Sequence, residues 1–456
     1  MTSILHSLSA RLLAGGLLAG LPLLAPAAIY RVTTEADVYD GVCDAQCSLR
    51  DAVSAANRRN DADVILVPAG TYQLTRPLPL DGQGIPIDSQ DETVGDLEVS
   101  GPTYIRGAGA ERTFIRGGTN DRLFEVLPGG ALALEKVTLE RGHTAYNGGA
   151  VRNDGGLVLF EVMLRENAAI RPPRAEVPMP PEEAGRHGHG GAVANYGRAL
   201  IHSARLRENR VRGTPYGALY EVPGRGAAVY NEGQLLVSDS LFYNNADQYS
   251  SDWGQVTGLA VYNRSTARIQ RSSLGRHGSW EEFTILLFND GGRLDISDTT
   301  ISDYVLGAVF NSVGAVADLE RVTIADGYGV GLDNWGRMRV RNSIVAGNID
   351  ESGEDPFNCR NTGQFQQQGL LLNSGQGPFR ACDADFYVPL EESLTTLMMP
   401  LDRSHPRRWF HPLPPGSPAI DAAVGPCTGK DQRGISRPRD GDGDGVAVCD
   451  LGAIER

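Results

Sequence analysis

Histidine, arginine and aspartate carry most of the chemistry this sequence offers, and they gather in two places. The first holds His187-Gly188-His189 together with Arg171, Arg186, Arg210, Arg212 and Arg225. His143 and His277 fall at matching positions of neighbouring segments. Imidazole moves protons near neutral pH and ligates metals, so His189, His187, His143 and His277 are the catalytic candidates. Elimination beside a uronic carboxylate needs a base and a cation that neutralises the carboxylate. The arginines supply cations, but no residue is marked as the base. Tyr216, Tyr220, Tyr249 and Trp253 lie in the same stretches and, with Arg186 and Arg212, form a set suited to stacking on sugar rings and bonding their hydroxyls. The plainer alternatives are surface loops for the histidines and packing for the aromatics.

The second place is Asp440-Gly-Asp442-Gly-Asp444-Gly445. Alternate aspartates with glycine at the sixth position match the start of a calcium loop. The bidentate Glu of the twelfth position is absent, since Leu451 stands there, and Asp450 or Glu455 is left to close the shell. Asp440, Asp442, Asp444 and Asp450 are therefore candidate Ca²⁺ ligands, against an acidic turn held by Cys449.

The first place depends on a repeat. Residues 148–167, GGAVRNDGGLVLFEVMLREN, return at 190–209 and 226–245, with degenerate copies after them. Each copy centres on an asparagine: Asn153, Asn195, Asn231, Asn263, Asn289, Asn311 and Asn334. Apolar residues follow in two-residue alternation, a skip of one, then alternation again, as in Leu157, Leu159, Val162 and Leu164. That pattern means two short strands joined by a bend. A repeat of about 22 residues with it reads as one coil of a parallel β-solenoid. The expected fold is all-β, a right-handed parallel β-helix. An inward Asn at each bend can bond the next coil and tolerates left-handed backbone. Spacing between marker asparagines falls from 42 to about 22 residues, and the excess lies at 168–189, 210–225 and 246–257. Insertions at one corner of successive coils should stack into a wall beside a groove.

Composition bounds the rest. A chain of 456 residues with 56 glycines and 26 prolines suits one elongated domain with many tight bends. A net charge of −14 argues against a nucleic-acid partner. Residues 1–27 read as a cleaved secretion signal, with Arg11, an apolar run and Ala25-Pro26-Ala27, and no further span follows. Six cysteines in local pairs, Cys43 with Cys47, Cys359 with Cys382 and Cys427 with Cys449, suit disulfides in an exported chain, stapling the caps. The expected division is a signal at 1–27, a cap with first coils at 28–100, repeats at 101–350 and a disulfide-stapled region at 351–456. Ser48 and Asp51 form a capping box for a short helix whose Leu49, Ala52, Val53 and Ala56 share one face. This helix should cover the first coil's open edge.

The two ends carry a resemblance. CSLRDAVSAAN followed by VILVPAGTYQLT resembles the CSLREA-type N-terminal module of secreted bacterial parallel β-helix proteins. SPAIDA at 417–422, DQRG at 431–434 and RPRDGDGDGVAVCDLGAIE at 437–455 are similar to the choice-of-anchor Q terminal region. With the repeats, the resemblance covers nearly the whole mature chain. It implies a right-handed β-helix at the cell surface, although the chain stops at Arg456 without the sorting tail that family members often carry. Gly188-His189-Gly190 is similar to the Gly-His-Gly of pectin-hydrolysing β-helices, whose partner motifs are absent here. The expected function is non-catalytic binding of an extracellular polysaccharide or cell-surface component by a monomer, secreted, surface-held or periplasmic. The alternative is a polysaccharide lyase or glycoside hydrolase using the same groove.

Overall fold

The computed structural model describes residues 28–456 except 60, 83, 85, 171–187, 213–223, 248–255, 278–284, 351–355, 375–381 and 390–392. The expected signal segment lies outside the described residues. In the coil after Asn153, Leu157 and Leu159 point inward from Gly156–Phe160, Glu161 turns the chain, and Leu164 points inward from Met163–Arg165. The skip in the alternation is thus one residue in left-handed conformation. It recurs at Lys136, Glu161, Ser203, Asp239, Arg271, Asp298 and Arg321, with φ of 46–57°. Such backbone costs a non-glycine residue roughly 1–2 kcal/mol. It persists because the ladders on either side fix it.

Three parallel ladders follow. The first face stacks Ala131–Glu135, Gly156–Phe160, Arg198–His202, Gln234–Ser238 and Thr266–Gln270. The second stacks Thr138–Glu140, Met163–Arg165, Arg205–Arg207 and Leu241–Tyr243. The third stacks Leu97–Val99, Phe124–Val126, Val151–Asn153, Val193–Asn195, Val229–Asn231, Val261–Asn263 and Leu287–Asn289. All pair in parallel around one aliphatic interior, giving a right-handed parallel β-helix. Later coils fuse faces into longer strands such as Arg293–Asn311.

The marker asparagines close the third face. Asn153 donates to Asn195, Asn195 to Asn231, Asn231 to Asn263 and Asn263 to Asn289, at 2.6–2.8 Å. The ladder continues through Asn311 and Asn334 to Asn361. A second ladder, Asn167 to Asn209 to Asn245, follows the second face. There the insertions begin. Ala168–Ile170, Arg210–Arg212 and Ala246–Asp247 form their own parallel ladder with His143–Thr144, and the returning Gly224–Arg225 pairs with Val256–Thr257. The insertion roots therefore stack on one corner. Their middles lie outside the described residues.

At the N-terminal end, Ile29–Arg31 pairs with Asp63–Val67 and the helix Leu49–Asn57 packs on the first coils, its capping box formed by Ser48 and Asp51. At the other end the stack runs past residue 350, since Gln364–Ser374 pairs with Arg337–Ala346 and Phe386–Pro389 pairs outside that. The remaining tail folds back along the second face. Leu397, Met398, Leu413, Ala419, Leu451 and Ile454 form a second core with Ala325, Ile344, Ala346 and Leu371. All three predicted disulfides are present. Two sit at the ends of the solenoid. Cys427–Cys449 does not staple an axial cap: it closes the tail on the flank, because that flank offers the apolar row the tail needs. Among the described residues no helix is long and apolar enough to cross a membrane.

Candidate functional site

Arg186, His187, Tyr216, Tyr220, Tyr249 and Trp253 lie outside the described residues. Arg212 stands half-buried at the root of the second insertion, and His143 is exposed at the start of the corner ladder. His277 ends the strand Ser273–His277, whose neighbours are second-face strands. His189 is fully buried, its ring stacked on Tyr230 at 4.7 Å and its backbone bridged to Arg225. A buried, stacked imidazole is held by packing rather than presented to a polymer in solution. The described histidines do not converge on one point.

What the structure does bring together is an outward row on the third face. The residue before each marker asparagine, and before Val99 and Val126 at the same register in the first coils, alternates out of the core, giving Glu98, Glu125, Arg152, Ala194, Tyr230, Tyr262, Phe288, Phe310, Asp333 and Arg360 in register. The middle of this row is aromatic. Tyr230 stacks on Tyr262 at 5.7 Å, Tyr262 on Phe288 at 5.1 Å and Phe288 on Phe310 at 4.6 Å. Tyr196 and Trp335, one residue after their asparagines, flank it at 6.1 and 6.4 Å from their neighbours. Polar groups line the edge: Tyr230 donates to Glu232, Tyr262 donates to Asp290, and Arg264 bridges both carboxylates. Burial, then these carboxylates, push both phenols well above their usual range, so they remain donors. Arg225, leaving the second insertion, lies over Tyr262 at 5.1 Å. The row therefore borders the insertion corner. Sequence reading missed it, although the position before each marker asparagine was the available signal.

The row begins in a carboxylate cluster. Arg122, fully buried, holds Asp88 at 3.0 Å, Asp96 and Glu125 at 3.3 Å and Asp121 at 3.9 Å. Glu98 lies beside Glu125 on the adjoining strand. Asp96 Oδ1 and Glu98 Oε1 are buried without a hydrogen-bond partner. Burial, reinforced by Glu125, pushes the Glu98 carboxyl up to about 8, and burial raises Asp96 well above the usual range. Glu98 can therefore hold a proton at neutral pH. The segment 86–96 covers them, tied down through Asp88 to Arg122 and through Glu92 to Ser54.

The terminal aspartates form a different group from the expected one. Asp440 and Asp442 converge with Asp421, their ligand oxygens within 4.8 Å of one another. Asp421 had not been singled out; it lies in the SPAIDA motif. Asp444 turns to the Val446 amide, and Asp450 accepts from the amides of Asp421 and Arg456. An oxygen-only set of three carboxylates fits a hard cation such as Ca²⁺, with further oxygens from water.

No family model and no curated protein matches the chain. Among solved structures it is similar to pectate lyase Pel9A, at 14% identity and a TM-score of 0.39, over 95% of this chain and 98% of that one. It is also similar to the A-module of the mannuronan C-5 epimerase AlgE6 of Azotobacter vinelandii, at 10% identity and a TM-score of 0.32, over 76% of this chain and 100% of that one. At this level the likeness says nothing of chemistry.

Proposed function

We propose that the protein is an exported, glycan-binding β-helix that holds an extended saccharide along its outer third face, beside the insertion corner. The observation that carries this is the row running from Tyr196 to Trp335. Tyr230 and Tyr262 are buried within the stack, the half-buried Phe288 and Phe310 offer ring edges, and the half-buried Tyr196 and the 45% exposed Trp335 stand at the two ends. Between them Glu232, Arg264 and Asp290 give donors and acceptors at the spacing of successive coils, about 4.8 Å. Aromatic surface flanked by directed polar groups is a common way to hold a sugar chain.

Binding is favoured over cleavage because the converging carboxylates lie beneath a covering segment. The second reading, a lyase or hydrolase, is favoured by Glu98, a proton-holding acid next to Glu125. The leader at 1–27 and the three disulfides support export. The resemblance to CSLREA-type and choice-of-anchor Q proteins belongs to the same proposal, as does a Ca²⁺ ion at Asp421, Asp440 and Asp442. The test is a glycan array with the mature protein and a variant whose segment 168–189 is replaced by a short turn, alongside reducing-sugar and unsaturated-product assays. Selective binding without product formation is expected, weakened in the variant. No binding on the array would overturn the proposal, and product formation would select the second reading.

A further inference from the structure

The left-handed bends between the first and second faces form a second outward row: Lys136, Glu161, Ser203, Asp239, Arg271, Asp298 and Arg321. Every member except Ser203 is charged, and neighbours pair along the axis. Lys136 lies 3.7 Å from Glu161, Arg271 lies 2.8 Å from Asp239, and Arg321 lies 2.8 Å from Asp298. Ser203 breaks the sequence of pairs, and its short side chain leaves a gap between Glu161 and Asp239. On the side of Ser203 towards Glu161 and Lys136 a cleft of about 380 Å³ opens, within the size range of small-ligand sites.

Four parts of the chain build it. The turn 108–110 supplies a small apolar wall, the bend row supplies Lys136, Glu161 and Ser203, and Arg205 stands beside them. The fourth part of the lining comes from the returning tail, where Arg407 reaches across to donate to the Ser203 carbonyl at 3.3 Å. Lys136 is already paired with Glu135 and Glu161, and Arg205 with Glu111. Arg407 has no ion pair among the described residues. Of the three cations around the gap, two are matched by these carboxylates and Arg407 is open to a new anion.

We propose that this cleft takes the carboxylate of an acidic sugar, a uronate within a polysaccharide, with Arg407 as the receiving cation. The inference rests on the glycan-binding reading and names the class of sugar. A guanidinium matches a planar carboxylate in a two-point fork. The Ser203 hydroxyl and the Glu161 carboxylate are placed to bond ring hydroxyls, and Ala108, Ala110 and Val162 offer apolar surface to the C–H face. A doubly charged phosphate would meet Glu161 at close range, which disfavours it.

The test is calorimetric titration of the full mature chain with oligogalacturonate, oligomannuronate and a neutral gluco-oligosaccharide of equal length. Saturable binding is expected for at least one uronate oligomer, weaker by about tenfold or more in Arg407→Gln. Ser203→Asp should have the same effect, because it places a carboxylate against Arg407. Asp239 and Asp298 already occupy equivalent bends at φ 52° and 47°, so the fold should survive, as an unchanged melting temperature would verify. Uronate binding that persists in both variants would overturn the assignment of the cleft while leaving glycan binding intact. Equal affinity for the neutral oligomer would overturn the charge class. Wild-type protein that binds no saccharide would remove the glycan-binding reading along with this one.

Discussion

Glu98 shows how little of a side chain's behaviour is visible in its letter. In sequence it is one glutamate in an irregular stretch; folded, it is 4% exposed, beside Glu125, and carries a proton up to about pH 8. An ordinary glutamate ionises near 4.5. The folded pKa is the higher one, so its contribution to stability is complete below about pH 4.5 and is lost as pH rises towards 8. Glu98→Gln removes that loss. Urea unfolding should show the wild type falling a few kcal/mol further than the variant between about pH 5 and pH 9; equal falls would mean Glu98 ionises normally. The clustering of Asp440 and Asp442 was legible, because alternating Asp and Gly brings carboxylate oxygens together. Its third member, Asp421, was not, since only the folded tail brings SPAIDA to DGDGD. Calcium should raise the melting temperature, and Asp421→Ala or Asp442→Ala should abolish the rise while Asp444→Ala should not. Identical behaviour of all three variants would dissolve the assigned ligand set. The predicted histidines teach the converse point: His189 had the right residue type for catalysis, and its burial against Tyr230 could not be read from its spacing.

The coil was the most legible element. Alternation, skip and alternation in Leu157, Leu159, Val162 and Leu164 predict two strands and a bend, and the skip is Glu161 at φ 53°. The asparagine ladder was legible for the same reason, as position and residue type repeat together. Each rung makes a buried amide-to-amide bond and a further bond to a backbone carbonyl, as Asn263 does to Asn289 and Arg293. Removing a central rung strands its neighbours' polar atoms. Asn263→Ala should therefore cost about 2–3 kcal/mol and the terminal Asn361→Ala about 1 kcal/mol or less, by chemical denaturation. Equal small losses would show that the rungs are independent of burial. The outward aromatic row escaped notice because its members, Tyr230, Tyr262, Phe288 and Phe310, belong to copies whose similarity had been traced through inward positions.

At the scale of the molecule, what sequence left hidden is where the irregular tail goes. Periodicity describes coils, while a chain without periodicity states no packing partner. A signal did exist: the outward second-face position changes from Met163 and Arg205 to Ser273, Thr300, Thr323 and Ile344, and the tail covers the latter group. Gln432 of the DQRG motif is the clasp, fully buried, donating to the Ser272 carbonyl and Ser273 hydroxyl and accepting from Thr300. Gln432→Ala should loosen the tail, lower stability by about 2–3 kcal/mol and open residues 403–411 to proteases; an unchanged digestion pattern would place the clasp elsewhere. The returning tail also supplies one wall of the uronate cleft, so the same variant should weaken acidic-sugar binding. The central claim, that the outer third face holds a glycan, is tested most directly by hydroxyl-radical footprinting with the polysaccharide that binds best on the array. The expected result is protection of Tyr196, Phe288, Phe310 and Trp335, with Tyr387 and Tyr328 unchanged as exposed controls. Unaltered labelling of the aromatic row under saturating polysaccharide would contradict the claim.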